Sequence, residues 1–396
     1  MRFPLPTDSG CYVGLMSGTS LDAIDAVLVE IGPGAIQLRA QHDHPLPPAL
    51  KADLAGLCNP TPEMGDTVEL LGAADRQLGE VLAAAVSALL TRAAVPAAQV
   101  VAIGSHGQTV RHRPPCGASG YPPCGADHYP PRGTRRYPFT LQIGDPHVIA
   151  ARTGIAVVAD FRRRDLAVGG QGAPLVPAFH RAAFAHPERV RAIVNIGGIA
   201  NLTLLPPGGE VLGFDTGPGN GLMDAWIQRH QGAGFDAGGS WAAAHRADAD
   251  LLARLLAHPF LARQPPKSTG REEFHLGWVD DLLAAGPPVA PGRVQATLLE
   301  LTAATIADAV CGLSPAVEEV YLCGGGAYNA ALLKRLGELL HPRPVATTAA
   351  LGLAPEWVEA VAFAWLARET LLGRPGNLPG VTGAAAAVVL GAIYPA

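Results

Sequence analysis

The apolar positions of this chain fall in short runs broken by glycine, and these alternate with longer amphipathic stretches. Cys11–Val13 and Ala26–Val29 flank Gly14-Leu15-Met16-Ser17-Gly18-Thr19-Ser20-Leu21-Asp22-Ala23-Ile24-Asp25, which predicts strand, tight turn, strand. Thr67–Ala93 has few breakers and predicts one long amphipathic helix. Val100–Gly104 predicts a short buried strand that ends in Ser105-His106-Gly107-Gln108-Thr109. Arg113–Pro138 has no periodicity and is rich in Pro, Gly, Tyr and Arg; residues 121–127 echo 114–119, and the segment reads as a surface loop or insertion. Order resumes at Phe139–Gln142, and Ile155–Ala159 predicts a strand ending in Asp160-Phe161-Arg162.

The second half repeats the opening. Val190–Leu205 is two apolar runs around Asn195-Ile196-Gly197-Gly198-Ile199-Ala200-Asn201, a second strand-turn-strand. Val211–Phe214 predicts a strand ending in Asp215-Thr216-Gly217-Pro218-Gly219-Asn220, with a helix from about Leu222. Arg293–Cys311 reads as helix, and Val320–Cys323 as a strand running into Gly324-Gly325-Gly326. Helices follow at Asn329–Leu340 and Glu356–Leu372, and an Ala-rich helix is expected at the end. This order predicts an α/β fold of two units with helices on both sheet faces, and a ligand crevice at the strand ends between them.

Length and charge narrow the classes. A chain of 396 residues can bury two full cores, and 48% hydrophobic against 16% charged residues marks a globular protein. The net charge of −5 leaves no basic footprint for nucleic acid. Val381–Ile393 is too short for a membrane span, and Met1–Gly10 lacks the pattern of a signal peptide, so a cytoplasmic protein without nucleic-acid or membrane partner is expected. The six cysteines form no C-x-x-C and no zinc-finger spacing with histidine. Cys116 and Cys124 share the irregular loop, where a reducing compartment argues against a disulfide.

The first glycine turn carries candidate chemistry. Glycines let backbone N–H groups converge on an anion, hydroxyls add donors, and an acid holds Mg²⁺ through water. That suits a nucleotide phosphate, although an ordinary glycine-rich hairpin has the same pattern. The turn is not a Walker A loop: no such motif occurs, and Lys51, Lys267 and Lys334 are the three lysines. Nor does a G-x-G-x-x-G stand on a strand-to-helix turn. Asp22 and Asp25, three apart, face opposite sides of an ideal strand, so Asp22 is the metal candidate and Asp25 reads as structural.

Two α/β units, each opened by a glycine-turn hairpin, with a late strand-GGG-helix, resemble the actin/hexokinase/Hsp70 ATPase superfold. The motifs M16-S-G-T-S-L-D22, G104-S-H-G-Q-T109, Q142-I-G-D-P146, A159-D-F-R-R163, G170-Q-G-A-P-L175, N195-I-G-G-I-A-N201, F214-D-T-G-P-G-N220 and K267-S-T-G-R-E272 are similar, in order, to the signatures of anhydro-N-acetylmuramic acid kinases. Only 114–137 looks foreign. The resemblance implies two actin-like, ribonuclease H-like domains, 1–158 plus 383–396 and 159–382. It implies ATP-dependent opening of 1,6-anhydro-N-acetylmuramic acid with phosphorylation of O6, in recycling of cell-wall sugars. It further implies Mg²⁺ and a homodimer.

Cleaving a glycosidic bond usually takes two carboxylates, an acid for the leaving oxygen and a base for water. Here O6 can be captured by the γ-phosphoryl group, so one base suffices, and phosphoryl transfer needs mainly positioning and charge neutralisation. The family's catalytic aspartate falls on Asp215, which equally suits an Asx-turn or N-cap. Asp160 is the rival base; with Arg162 it is assigned to sugar binding, since the arginines after it suit a carboxylate. His106 reads as a hydrogen-bonding scaffold of the sugar site, joined there by Gln108, Gly217 and Glu359. By resemblance Gly18, Thr19, Ser20, Leu21, Asp22, Ala23, Ile24 and Asp25 bind ATP, as do Gly197, Gly198, Asn201, Gly324, Gly325, Gly326 and Asn329. Ala23 stands where glycine is usual, and its methyl disfavours a positive φ. No role for Lys267 follows from the sequence. Another sugar or carboxylate kinase of the superfold, or a nucleotide-gated binding module without chemistry, are the alternatives.

Overall fold

A computed structural model describes residues 8–18, 23–58, 66–115, 138–265, 267–270 and 273–396. The chain divides into two compact units, 1–183 with 359–396, and 184–358. The sequence reading set the divisions at 158/159 and 382/383. The observed ones assign both the helix Val176–Phe184, all but its last residue, and the helix Val358–Leu371, all but its first, to the first unit.

The first unit is built on β1 (Gly10–Ser17), β2 (Ala23–Gly32), β3 (Ala35–Pro45), β4 (Val100–Ser105), a side hairpin of β5 (Gln108–Arg113) and β6 (Phe139–Ile143), and β7 (Val157–Ala159). Its six-stranded sheet runs β3-β2-β1-β4-β7 and ends on the chain's last strand, Ala392–Tyr394. β1, β2 and β3 are an antiparallel meander, whereas β4 and β7 run parallel to β1. On one face, Val13, Leu15 and Ile103 pack with Leu78, Leu82 and Val86 of the helix Thr67–Ala93. That helix starts where the Asp66 carboxylate accepts from the N–H groups of Val68 and Glu69, and stops at left-handed Ala94.

The other face carries the helix Val358–Leu371, whose residues 360–370 are all buried. Its approach requires glycine on the sheet. Gly14 and Gly104 are neighbours across β1 and β4. A Cβ on Gly14 would overlap the carbonyl oxygen of Ala360, and one on Gly104 that of Phe363.

The second unit repeats the topology with β8 (Arg191–Ile196), β9 (Ile199–Leu205), β10 (Leu212–Pro218), β11 (Glu319–Cys323) and β12 (Val345–Thr347). Its order is β10-β9-β8-β11-β12, again three antiparallel strands followed by two parallel ones. Both units thus share the ribonuclease H-like order 3-2-1-4-5. The helix Pro291–Cys311 is apolar and long enough to cross a membrane, but 72% of its most apolar window is buried in the unit's core.

The Ala-rich end corrects the sequence reading. Residues 384–390 form no helix. The single turn Pro379–Thr382 is stopped by Gly383 at φ 75°. The backbone then pairs outward: Ala385 N donates to Val168 O at 2.8 Å, Val388 N to Asn377 Oδ1 at 2.7 Å, and Gly376 N to Val388 O at 3.0 Å. These long-range bonds replace the local ladder that alanine's propensity favours.

Gly14→Ala and Gly104→Ala should each cost about 3 kcal/mol or more, since overlap with a helix backbone has no side-chain rotamer to relieve it. Urea unfolding checks this; an unchanged midpoint for either would refute the contact.

Candidate active site

In the second unit β10 places Asp215 opposite Asn201 of β9, and Asn201 opposite Asn195 of β8. The register then slips: Gly217 pairs with Ala200, leaving Thr216 as a bulge. A bulge turns the strand and re-aims its side chains. Gly217 sits at φ 154°, with Leu261 3.0 Å and Thr305 3.3 Å from where a Cβ would stand.

The Asp215 carboxylate is enclosed by protein but keeps part of its surface open. Its Oδ2 accepts from Thr269 N at 2.8 Å, and Asp215 N donates to Lys267 O at 3.0 Å. Burial pushes its pKa up to about 7; the Thr269 hydrogen bond and the Lys267 charge oppose the shift. A carboxylate so tuned is a competent base near neutrality.

The glycine turns beside it interlock through backbone. Gly219 N and Gly221 N donate to Gly198 O at 3.0 and 3.2 Å, and Asn220 N to Gly197 O at 2.7 Å. Gly324, at φ 76°, and Gly326 leave no room for a Cβ against Asn195 and Ile196. Gly325 differs: its nearest neighbour would be Asn220 Nδ2 at 3.9 Å, so its backbone faces free space. Asn329 is occupied as an N-cap, its side chain accepting from Leu332 N at 3.0 Å.

In the first unit, buried His106 meets Arg162. The imidazole Nε2 accepts from Arg162 Nε at 3.0 Å and Nη2 at 2.9 Å, while Nδ1–H donates to Gly107 O at 2.8 Å. Burial first, then the Arg162 cation, holds the His106 pKa well below 6.5. His106 is therefore a neutral acceptor that orients Arg162. Arg162 also donates through Nη1 to Gly172 O at 2.8 Å. Burial brings its pKa down to about 10, with the Glu359 charge opposing the shift, so Glu359 stands within electrostatic reach of this cluster.

Asp160 closes β7 at φ 60°, a left-handed conformation unusual outside glycine, and pairs with Arg163 at 3.1 Å. Burial raises its pKa and Arg163 opposes this. Asp160 and His106 line one cavity of about 370 Å³, with Ser105, Gln142 and Arg163. Gln108 is buried, its Oε1 accepting from Ser17 Oγ at 2.6 Å and its Nε2 donating to Thr109 O at 3.2 Å. Thr19, Ser20, Leu21 and Asp22 lie outside the described residues, as do Cys116 and Cys124. Ala23 lies in β2, opposite Pro45 of β3. Asp25 also lies in β2, opposite Asp43 of β3.

Sequence reasoning missed two features. One is the clip of Lys267 and Thr269 on Asp215; its motif was visible but its partner was 54 residues away. The other is Asp165, fully buried, which accepts from Gly172 N at 2.7 Å, Asn377 Nδ2 at 2.7 Å and Thr382 Oγ1 at 2.8 Å. No local pattern announces such a tie.

Two units of ribonuclease H-like strand order, each opened by a glycine-turn hairpin, define a protein of the actin/hexokinase ATPase fold class. A family model described as anhydro-N-acetylmuramic acid kinase matches residues 10–122 and 126–396. The chain belongs to that family, and it is an enzyme. The match omits only 123–125 of the proline-rich segment. An anhydro-N-acetylmuramic acid kinase of Thiobacillus denitrificans is 52% identical over 388 residues, 97% of each chain. One of Saccharophagus degradans is 50% identical over 97% of this chain and 98% of its own. Among solved structures, an activator of 2-hydroxyisocaproyl-CoA dehydratase from Clostridium difficile with bound ADPNP aligns at TM-score 0.42 and 12% identity, over 91% of this chain and 96% of its own. A ROK family glucokinase from Streptomyces griseus aligns at 0.38 and 14%, over 91% and 100%.

By NMR the His106 ring should titrate well below the usual histidine range and be neutral at pH 6.5, where a free imidazole is half protonated. His106→Phe, which removes the acceptor of two of Arg162's hydrogen bonds and leaves the one to Gly172 O, should destabilise the fold by about 1–3 kcal/mol. A ring titrating near 6.5 would refute the arrangement.

Proposed function

We propose that this chain converts 1,6-anhydro-N-acetylmuramic acid, water and ATP to N-acetylmuramic acid 6-phosphate and ADP, with Asp215 as the base. The observation that carries the reading is the Asp215 carboxylate, fixed at a bulge and buried until its pKa is about 7. Asp215 takes one proton of a water that attacks C1 on the face opposite the bridge; the other proton stays on the new anomeric hydroxyl. O6 leaves and is captured by phosphoryl, so no general acid is needed. Asp160, Arg162 and Glu359 are assigned to sugar binding, with His106 holding Arg162 in place; Gln108 and Gly217 support the same site. The alternatives, another sugar kinase or a binding module without chemistry, are not favoured by the family match.

ATP supplies the γ-phosphoryl group when bound. The open backbone at Gly325, with Asn220 Nδ2 as its nearest neighbour, fits an anionic ligand. Gly197, Gly198 and Gly324–Gly326 would hold the nucleotide with Gly18–Asp25, and Asp22 would hold Mg²⁺ through water. The reading carries with it a cytoplasmic homodimer in peptidoglycan recycling.

The test is ADP release with Mg-ATP and the anhydrosugar, recording product mass. A product heavier by phosphate plus water is expected; a gain of phosphate alone would overturn the coupled ring opening. Asp215→Asn should lower turnover at least about 10³-fold with ATP binding nearly intact. Wild-type kcat should fall as pH drops below about 7, where Asp215 gains its proton. Stability moves oppositely. Burial favours protonated Asp215, so its ionisation opposes folding as pH rises from about 4 through about 7. Asp215→Asn should therefore raise Tm at pH 8 more than at pH 4.

A further inference from the structure

We propose that Lys267 and the backbone of Thr269 are positioning residues for Asp215, clipping both its main chain and its carboxylate and setting an ammonium group nearby. The inference rests on Asp215 being the base. The clip has two bonds, Asp215 N donating to Lys267 O at 3.0 Å and Thr269 N donating to Asp215 Oδ2 at 2.8 Å. With Oδ2 engaged, Oδ1 is the oxygen that receives the proton from water.

The Lys267 ammonium is anchored elsewhere. Its Nζ donates to Leu261 O at 3.2 Å and stands 4.9 Å from the Phe260 ring centroid and 6.0 Å from that of Phe214, the residue before Asp215. It makes no ion pair with Asp215, yet each group feels the other's charge. The distinction matters chemically. An ammonium bonded to the carboxylate would occupy its lone pairs and hold it down as a weak base. An ammonium held back by a carbonyl and two aromatic faces favours the ionised form and leaves Oδ1 free.

The segment is itself secured. Thr269 Oγ1 donates to Glu273 Oε2 at 2.8 Å, and Arg263 Nη2 donates to Glu273 Oε1 at 3.2 Å. Arg263 is the other charge acting on Lys267, and its pairing with Glu273 tempers it.

The test uses the full chain with Lys267→Met and Lys267→Arg, alongside Asp215→Asn. Lys267→Met should lower kcat about tenfold or more, leave the ATP KM within about threefold, and move the acid limb of the kcat–pH profile to higher pH. Removing a cation raises the carboxylate pKa, which fixes that direction. Lys267→Arg should restore the limb to its wild-type position. A limb unmoved in Lys267→Met, or moved equally in both variants, overturns the proposal, because a merely structural lysine would act without regard to charge. If Lys267→Met does not fold, neutral Lys267→Gln carries the same comparison. Turnover retained in Asp215→Asn would instead overturn the base; loss there with an unmoved limb in Lys267→Met overturns the lysine alone.

Discussion

The helix Val358–Leu371 rests on β1 and β4 with only the α-hydrogens of Gly14 and Gly104 in between. One face of the first unit's central strands is arranged around that contact. It brings a wholly apolar helix stretch against the sheet's centre and lets Ala360, Ala364 and Ala367 pack where larger residues would not fit. The same contact sets Phe363 beside His106, ring centroids 4.7 Å apart, and so seals the imidazole from water. His106 is neutral because it is sealed, and being neutral it accepts from Arg162. Packing at two glycines thus reaches the polar groups two steps away.

The two units handle charge in opposite ways. The first buries a cation and surrounds it with an imidazole, a carbonyl and a nearby carboxylate, so Arg162 stays charged. The second buries an anion with one N–H bond and one distant ammonium, so Asp215 is poised between forms. A fixed charge suits recognition and a poised one suits proton transfer. Fully paired, Asp215 would be a structural aspartate.

Much of this was legible in the sequence where the physics is local. Glycine-broken apolar runs marked both hairpins, and the Thr67–Ala93 helix has the bounds its pattern implied. Asp215 was singled out because F214-D-T-G-P-G-N220 resembles the family's motif; the strand expected to end at Phe214 in fact runs through Asp215 to Pro218, since the bulge at Thr216 lets pairing with β9 continue. The misreading at 384–390 came from propensity meeting tertiary bonds: four alanines in a row favour helix, but Val168, Asn377 and Gly376 claim the backbone. Lys267 and Asp165 were illegible for another reason. Their partners lie far along the chain, and sequence spacing carries no information about which distant strand end a loop returns to.

The first unit needs residues 359–396, whereas the second is one continuous stretch, 184–358. A ribosome therefore delivers every residue of the second unit before it delivers the helix and edge strand that complete the first. The amino-terminal half must wait with its glycine floor bare, while the later-made half can already be closed. Order of synthesis and order of completion run in opposite directions in this chain, and a nascent chain stalled before residue 359 would present β1 and β4 to whatever apolar surface arrived first.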